Sequence, residues 1–163
     1  MTQGKQQAAQ QPGLLMVGFL EAFMWLDRGL QENLNALGLP SVRRLESMVM
    51  IYTAVGVQRP SDFAKVLGVT RQSINSAIRD LEDKKLIELT PDPEDGRCKI
   101  VSFARAGEPI HLKAAEILSE LELSLTKRFG KTNMGALAQV LEADWGPVPL
   151  LVDENPTKMK RQA

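Results

Sequence analysis

Apolar residues recur along this chain with a helical period through most of its length and switch to a strand period only once. From Leu14 to about Leu37, the positions Leu20, Phe23, Met24, Asp27, Leu30, Leu34 and Leu37 track one helical stripe. Phe19, Trp25 and Leu26 widen that stripe beyond a single face, which implies cover from another chain or a ligand. Gly38, Leu39 and Pro40 end the helix, and Ser41 is expected to cap a second one with Leu45, Met48, Val49, Tyr52 and Val55 inward. A short third helix carries Phe63, Ala64 and Leu67 and stops at Gly68, which tolerates the left-handed backbone of a helix end. Thr70 caps a fourth helix whose Ile74, Ala77, Ile78 and Leu81 form a buried face. The period then shortens: Leu86, Ile87 and Leu89 open a strand, and Ile100, Val101 and Phe103 close its partner around a turn-rich Pro91 to Gly96. Arg105 to Phe129 reads as a long helix with Ile110, Ala114, Ile117, Leu118, Leu121 and Leu125 in one stripe; Leu112, Ala115 and Leu123 fall outside it. Thr132 to Asp144 reads as a shorter helix with Leu137, Val140 and Leu141 inward, before Pro147 and Pro149.

The fourth helix sorts its polar side chains as well as its apolar ones. Gln72, Asn75, Ser76 and Arg79 share a face displaced from the buried one. Amides, hydroxyls and Arg are the groups that read base edges in the DNA major groove, whereas a face selected for solubility would more often carry Glu and Lys. A plain polar surface is the competing reading of that face. The hairpin that follows is a wing, with Arg97 and Lys99 on one side of the returning strand. A wing Arg can enter the narrow minor groove, where the negative potential is strongest. Asp95 stands close enough to brace Arg97; the competing reading is a surface ion pair of little energetic worth.

The run GVTRQSINSAIRDLEDKKLIELTPDPEDGRCKIVSF resembles the winged helix-turn-helix of MarR-family transcriptional regulators. The likeness lies in the Leu-Gly-Val-Thr-Arg turn, the Leu-Glu-x-x-Lys-Leu-Ile exit from the fourth helix, and the Asp95-Gly96-Arg97 wing; it extends more loosely from about Leu14 to Trp145. Two positions depart from the pattern: Arg59 stands where a capping Ser or Thr usually precedes the helix-opening Pro, and Ser76 where Arg is common. The resemblance implies a mainly α fold with a small β-hairpin, in which a winged helix-turn-helix (residues 41–103) is flanked by dimerisation helices (14–40 and 104–146). It implies a homodimeric repressor that binds a pseudo-palindromic double-stranded operator. The DNA-binding residues are then Thr70, Arg71, Gln72, Ser73, Asn75, Ser76 and Arg79 from the recognition helix, with Arg97 and Lys99 from the wing. It also implies a small aromatic or lipophilic effector where the dimerisation helices meet the winged module, and Trp25, Met48 and Tyr52 are candidates to line that pocket. Met and aromatic stripes are more often core than pocket, and most of the soft residues on the first two helices read as core.

Composition complicates this picture. The 163 residues hold 20 Lys plus Arg against 20 Asp plus Glu, so the net charge is zero. Affinity for DNA depends on neutralising phosphates, so the cations must be placed locally: Arg71, Arg79, Arg97 and Lys99 toward DNA, with the acids elsewhere. Zero charge and Ser76 motivate a rival reading, a winged-helix module that binds another protein with DNA binding weakened or lost. The single Cys98 allows no disulfide within the chain and fits a reducing cytoplasm. Arg97 and Lys99 flank Cys98, but strand alternation turns them away, and a plain packing role is expected for the thiol. There is no phosphate-cradling Gly-rich loop, no HExxH and no nucleophile elbow, and His111 stands alone, so neither an enzyme nor a cofactor is expected. No signal peptide or membrane-length apolar run is present. Residues 1–13 read as disordered and 147–163 as a solvated tail.

Overall fold

The computed structural model describes residues 13–149, and the readings of the terminal segments before and after these lie outside the described residues. The elements follow in the order α1 (Leu14–Ala36), α2 (Arg44–Ala54), α3 (Pro60–Leu67), α4 (Arg71–Asp83), β1 (Ile87–Pro91), β2 (Lys99–Phe103), a 3₁₀ turn (Arg105–Gly107), α5 (Glu108–Phe129) and α6 (Lys131–Glu142). The chain divides into two compact units, the first through Ser124 and the second from Leu125.

The core of the first unit gathers around α4. Its apolar face, Ile74, Ala77, Ile78 and Leu81, is buried as the period requires, against Val49 of α2, Phe63 of α3, and Leu86, Ile87 and Val101 of the hairpin. Each large side chain in this set contributes about 1.5–3 kcal/mol by leaving water, so the orientation of α4 is strongly determined. Tyr52, Leu67, Leu89 and Ile110 close the margins. The strands pair antiparallel with Ile87 opposite Phe103 and Leu89 opposite Val101. Val101 also donates its N–H to the Gln58 carbonyl at 2.9 Å, so β2 is fastened to the connection between α2 and α3.

Several boundaries differ from the periodic reading, for local reasons. α2 is capped by Arg43, not Ser41: the Glu46 carboxylate accepts from the Arg43 N–H at 3.1 Å and closes the first turn. Leu86 precedes β1, and its carbonyl accepts the Ala104 N–H at 3.2 Å. α5 starts at Glu108, after a 3₁₀ turn in which Gly107 passes so close to the Lys85 carbonyl that a Cβ would stand 2.8 Å from it. The last helix runs Lys131–Glu142, one residue earlier than its pattern suggested at the start and two at the end.

Apolar residues are left at the surface of each unit. In the first, Leu14, Leu15, Met16, Val17 and Leu20 of α1 are exposed, while Phe23, Leu118 and Leu121 are half-buried. In the second, α6 buries no residue, and Leu137, Val140, Leu141 and Trp145 are exposed.

Candidate nucleic-acid interface

Thr70 starts the candidate site. Its hydroxyl accepts the Ser73 N–H at 3.1 Å and lies 2.8 Å from the Ser73 hydroxyl, so both side chains are spent on fixing the start of α4. With the Ile74–Leu81 face buried, geometry turns Arg71, Gln72, Asn75, Ser76 and Arg79 outward, and all five are exposed. Arg79 is steadied by donating from Nε to the Asn75 carbonyl at 3.2 Å.

These residues line two neighbouring concavities. One, of about 570 Å³, lies between α4 and the wing and is bounded by Arg59, Arg71, Asn75, Arg79, Cys98 and Lys99 among others. The second, of about 390 Å³, lies between α4 and the start of α2, with Arg43, Gln72, Ser73 and Ser76 in its wall. Arg43 and Arg59 were missed by the sequence reading. For Arg59 a signal existed, since it stands where a capping hydroxyl was expected.

The wing tip departs from the expected brace. Asp95 Oδ1 accepts the backbone N–H of Arg97 at 3.1 Å, leaving the guanidinium free of it. Arg97 itself sits in the tip turn ahead of β2, so strand alternation does not set its direction. The other Asp95 oxygen accepts the Cys98 thiol at 3.5 Å. That bond and the charge of Asp95 push the thiol above its ordinary pKa. Cys98 is exposed on the groove wall, which overturns the packing role expected for it.

The acids around this face are engaged. Arg59 donates from Nε to Asp92 at 2.7 Å and from Nη2 to Glu94 at 2.6 Å. The Arg59 guanidinium beside Asp92 holds that carboxyl below the usual carboxylate range. Glu46, almost fully buried, takes Lys84 Nζ at 2.5 Å and Arg43 Nε at 2.6 Å. Burial pushes the Glu46 carboxyl up, but the bonds from Lys84 and Arg43 outweigh burial and leave it below its ordinary value. Arg43 also pairs with Asp80. By contrast Arg71, Arg79, Arg97 and Lys99 form no ion pair among the described residues.

The candidate effector residues are not brought together as a lined cavity. Tyr52 packs on the core margin, Met48 is half-buried and Trp25 is 44% exposed; none lines either concavity described above. No group of three or more metal-binding side chains occurs among the described residues, and no described helix is long and apolar enough to cross a membrane.

Residues 42–97 match the model of the MarR family. The fold is similar to that of wild-type MarR (apo form) from E. coli, with 22% identity, a TM-score of 0.62, and coverage of 81% of this chain and 95% of that one. It is also similar to the transcriptional regulator BldR from Sulfolobus solfataricus, with 20% identity, a TM-score of 0.58, and coverage of 86% and 98%. A third structure, the transcriptional repressor CouR bound to a 23-mer DNA duplex, matches with 19% identity, a TM-score of 0.61, and coverage of 86% and 95%. No curated protein matches the chain. The resemblance read from the helix-turn-helix and wing is borne out, and the fold is that of MarR-family winged-helix transcriptional regulators.

Proposed function

We propose that this chain is a homodimeric, sequence-specific regulator that binds double-stranded operator DNA as a repressor and is modulated by a small ligand or partner. The observation that carries the reading is the sorting of charge: the exposed cations without ion-pair partners on α4 and the wing stand beside Gln72, Asn75 and Ser76, while Glu46, Asp80, Asp92 and Glu94 are held by other cations. This sorting answers the objection raised by zero net charge, because phosphates meet the local surface and not the sum over the chain.

In this mechanism Asn75 and Ser76 approach base edges, with Gln72 and Arg79 beside them, and Thr70 and Ser73 fix the helix start near the backbone. Arg71 and Lys99 meet phosphates and set register without carrying sequence information. Arg97 enters the minor groove and responds to its width. The flanking segments 14–40 and 104–146 form the dimer, which is where the exposed apolar residues of each unit find cover. Two-fold symmetry then sets the recognition helices about 34–36 Å apart, on successive major grooves. An effector acts by changing that separation. The α1–α2 junction supports such a site: Asp27 Oδ1 and Gln31 Nε2, one turn apart on α1, are buried without hydrogen-bond partners among the described residues.

A gel shift across genomic fragments at two salt concentrations tests the reading. Binding to a subset of fragments that weakens with salt is the expected result. With the four cations of each protomer contacting phosphate or groove, the logarithmic salt slope should approach about −3 to −4 per protomer. No binding at low salt would overturn it in favour of a winged-helix module that binds protein, the reading that zero net charge and Ser76 favour.

A further inference from the structure

The third helix opens without the hydroxyl cap that opens the fourth. Arg59 occupies that position with an extended backbone and makes no side-chain cap bond, so its guanidinium is available elsewhere. It crosses to the wing and forks: Nε meets Asp92 Oδ2 at 2.7 Å, and Nη2 meets Glu94 Oε2 at 2.6 Å. Asp92 is only 4% exposed. Its second oxygen accepts the Glu94 N–H at 2.9 Å, and its own N–H donates to the Cys98 carbonyl at 3.0 Å. The Cys98 N–H returns to the Asp95 carbonyl at 2.8 Å, and the Asp95 side chain holds the Arg97 N–H. An unbroken series of hydrogen bonds therefore links the Arg59 guanidinium to the backbone of Arg97. The neighbouring Gln58 carbonyl holds Val101 on the returning strand, so both sides of the hairpin are fastened to residues 58 and 59.

We propose that Arg59 is a positioning residue for the wing: its fork onto Asp92 and Glu94 fixes the tip so that Arg97 is presented to the minor groove. The proposal rests on the DNA-binding reading above, and it makes Arg59 act through Arg97 instead of contacting DNA itself. A hairpin tip rich in Pro, Asp and Gly has little apolar burial to hold it, and an unfixed tip would lose ordering entropy on every binding event. The fork also offsets part of the charge on the wing acids, one guanidinium against two carboxylates.

The test compares two substitutions that break the same bond with opposite changes in charge, Arg59→Gln and Asp92→Asn, in the full-length chain. Native-state hydrogen exchange without DNA reads the clamp directly. The Asp92 and Cys98 amides should exchange about tenfold faster in both variants, while amides in the middle of α4 keep wild-type protection. Unchanged tip exchange in both variants would overturn the clamp, and loss of α4 protection in one variant leaves the other to decide. Binding to operators with A·T-rich or G·C-rich flanks reads the consequence. Both variants should lose the flank preference, and Arg59→Gln added to Arg97→Ala should cost little further affinity. If instead Arg59→Gln weakens and Asp92→Asn strengthens binding, with flank preference kept, Arg59 acts through charge alone and the positioning role falls. Absence of operator binding by the wild-type chain would sink the DNA reading, and with it the presentation of Arg97 to DNA, while the exchange result would still decide whether Arg59 holds the tip.

Discussion

Replacing Glu46 by Gln should loosen the attachment of α4 to α2 and should do so in a pH-dependent way. The carboxylate is 1% exposed and accepts from Lys84 Nζ at 2.5 Å, Arg43 Nε at 2.6 Å and the Arg43 N–H at 3.1 Å. Hydrogen bonds to a charged group contribute about 1.5–3 kcal/mol each when both partners are shielded. Here the Arg43 side chain is 71% exposed and rehydrates when released, so its share is small, while Lys84 at 31% retains more of its contribution. Gln keeps one carbonyl acceptor for the Arg43 N–H. The expected loss is about 2 kcal/mol at neutral pH, or a melting temperature lower by roughly 4–8 °C for a chain of this size. The sign of the pH dependence follows from the carboxyl being held below its ordinary value in the folded state. Its contribution is fully present above the unfolded glutamate value of about 4.3 and is lost as pH falls through the folded value. Urea denaturation of the wild type and Glu46→Gln should therefore show a stability gap that is full at neutral pH and shrinks in acid. A gap below about 0.5 kcal/mol at neutral pH, or one that widens as pH falls, would refute the assignment of a stabilising buried carboxylate.

Three further outcomes are expected. Asn75→Ala should cost about 1–3 kcal/mol of specific binding by fluorescence anisotropy, with non-specific binding preserved; an unchanged operator preference would remove Asn75 from the base-reading face. Arg97→Ala should relax the preference for A·T-rich flanks, whereas Lys99→Ala should weaken all sequences about equally and reduce the salt slope by roughly one, so identical profiles for the two would contradict their separate roles. Light scattering at micromolar concentration should give a dimer mass, and Leu20→Glu, placing a charge on an exposed apolar face of α1, should shift it toward monomer; a monomeric wild type would count decisively against the shared helical core.

What the sequence made legible is what periodicity governs. The buried face of α4 was readable because a 3.6-residue repeat leaves one solution for Ile74, Ala77, Ile78 and Leu81, and Thr70 capping follows from one hydroxyl at the right place. The face opposite followed by subtraction. Side-chain networks between distant segments have no such repeat. Glu46 joins Lys84, 38 positions away, and Arg59 joins Asp92 across 33. A linear pattern shows four ordinary surface charges at these positions and cannot show that they meet. Cys98 was misjudged because strand alternation was applied to a residue that precedes β2: it lies in the tip turn, exposed, with the Asp95 carboxylate against its thiol.

The zero net charge of the chain is best understood through those networks. At the wing, Asp92, Glu94 and Asp95 carry three negative charges; the Arg59 guanidinium holds the first two, and Asp95 accepts the Arg97 N–H and the Cys98 thiol. The folded chain divides the labour among its cations. Arg59 and Arg43 are committed to acids, at the starts of α3 and α2 beside α4. Arg71, Arg79 and Lys99, which line the concavity between α4 and the wing, and Arg97 in the tip turn form no ion pair among the described residues. The balance of 20 against 20 is a sum over the whole chain and does not show this local arrangement. Under the proposed reading the cations that meet DNA are those on α4 and the wing, so composition alone favours the protein-binding alternative while placement favours DNA.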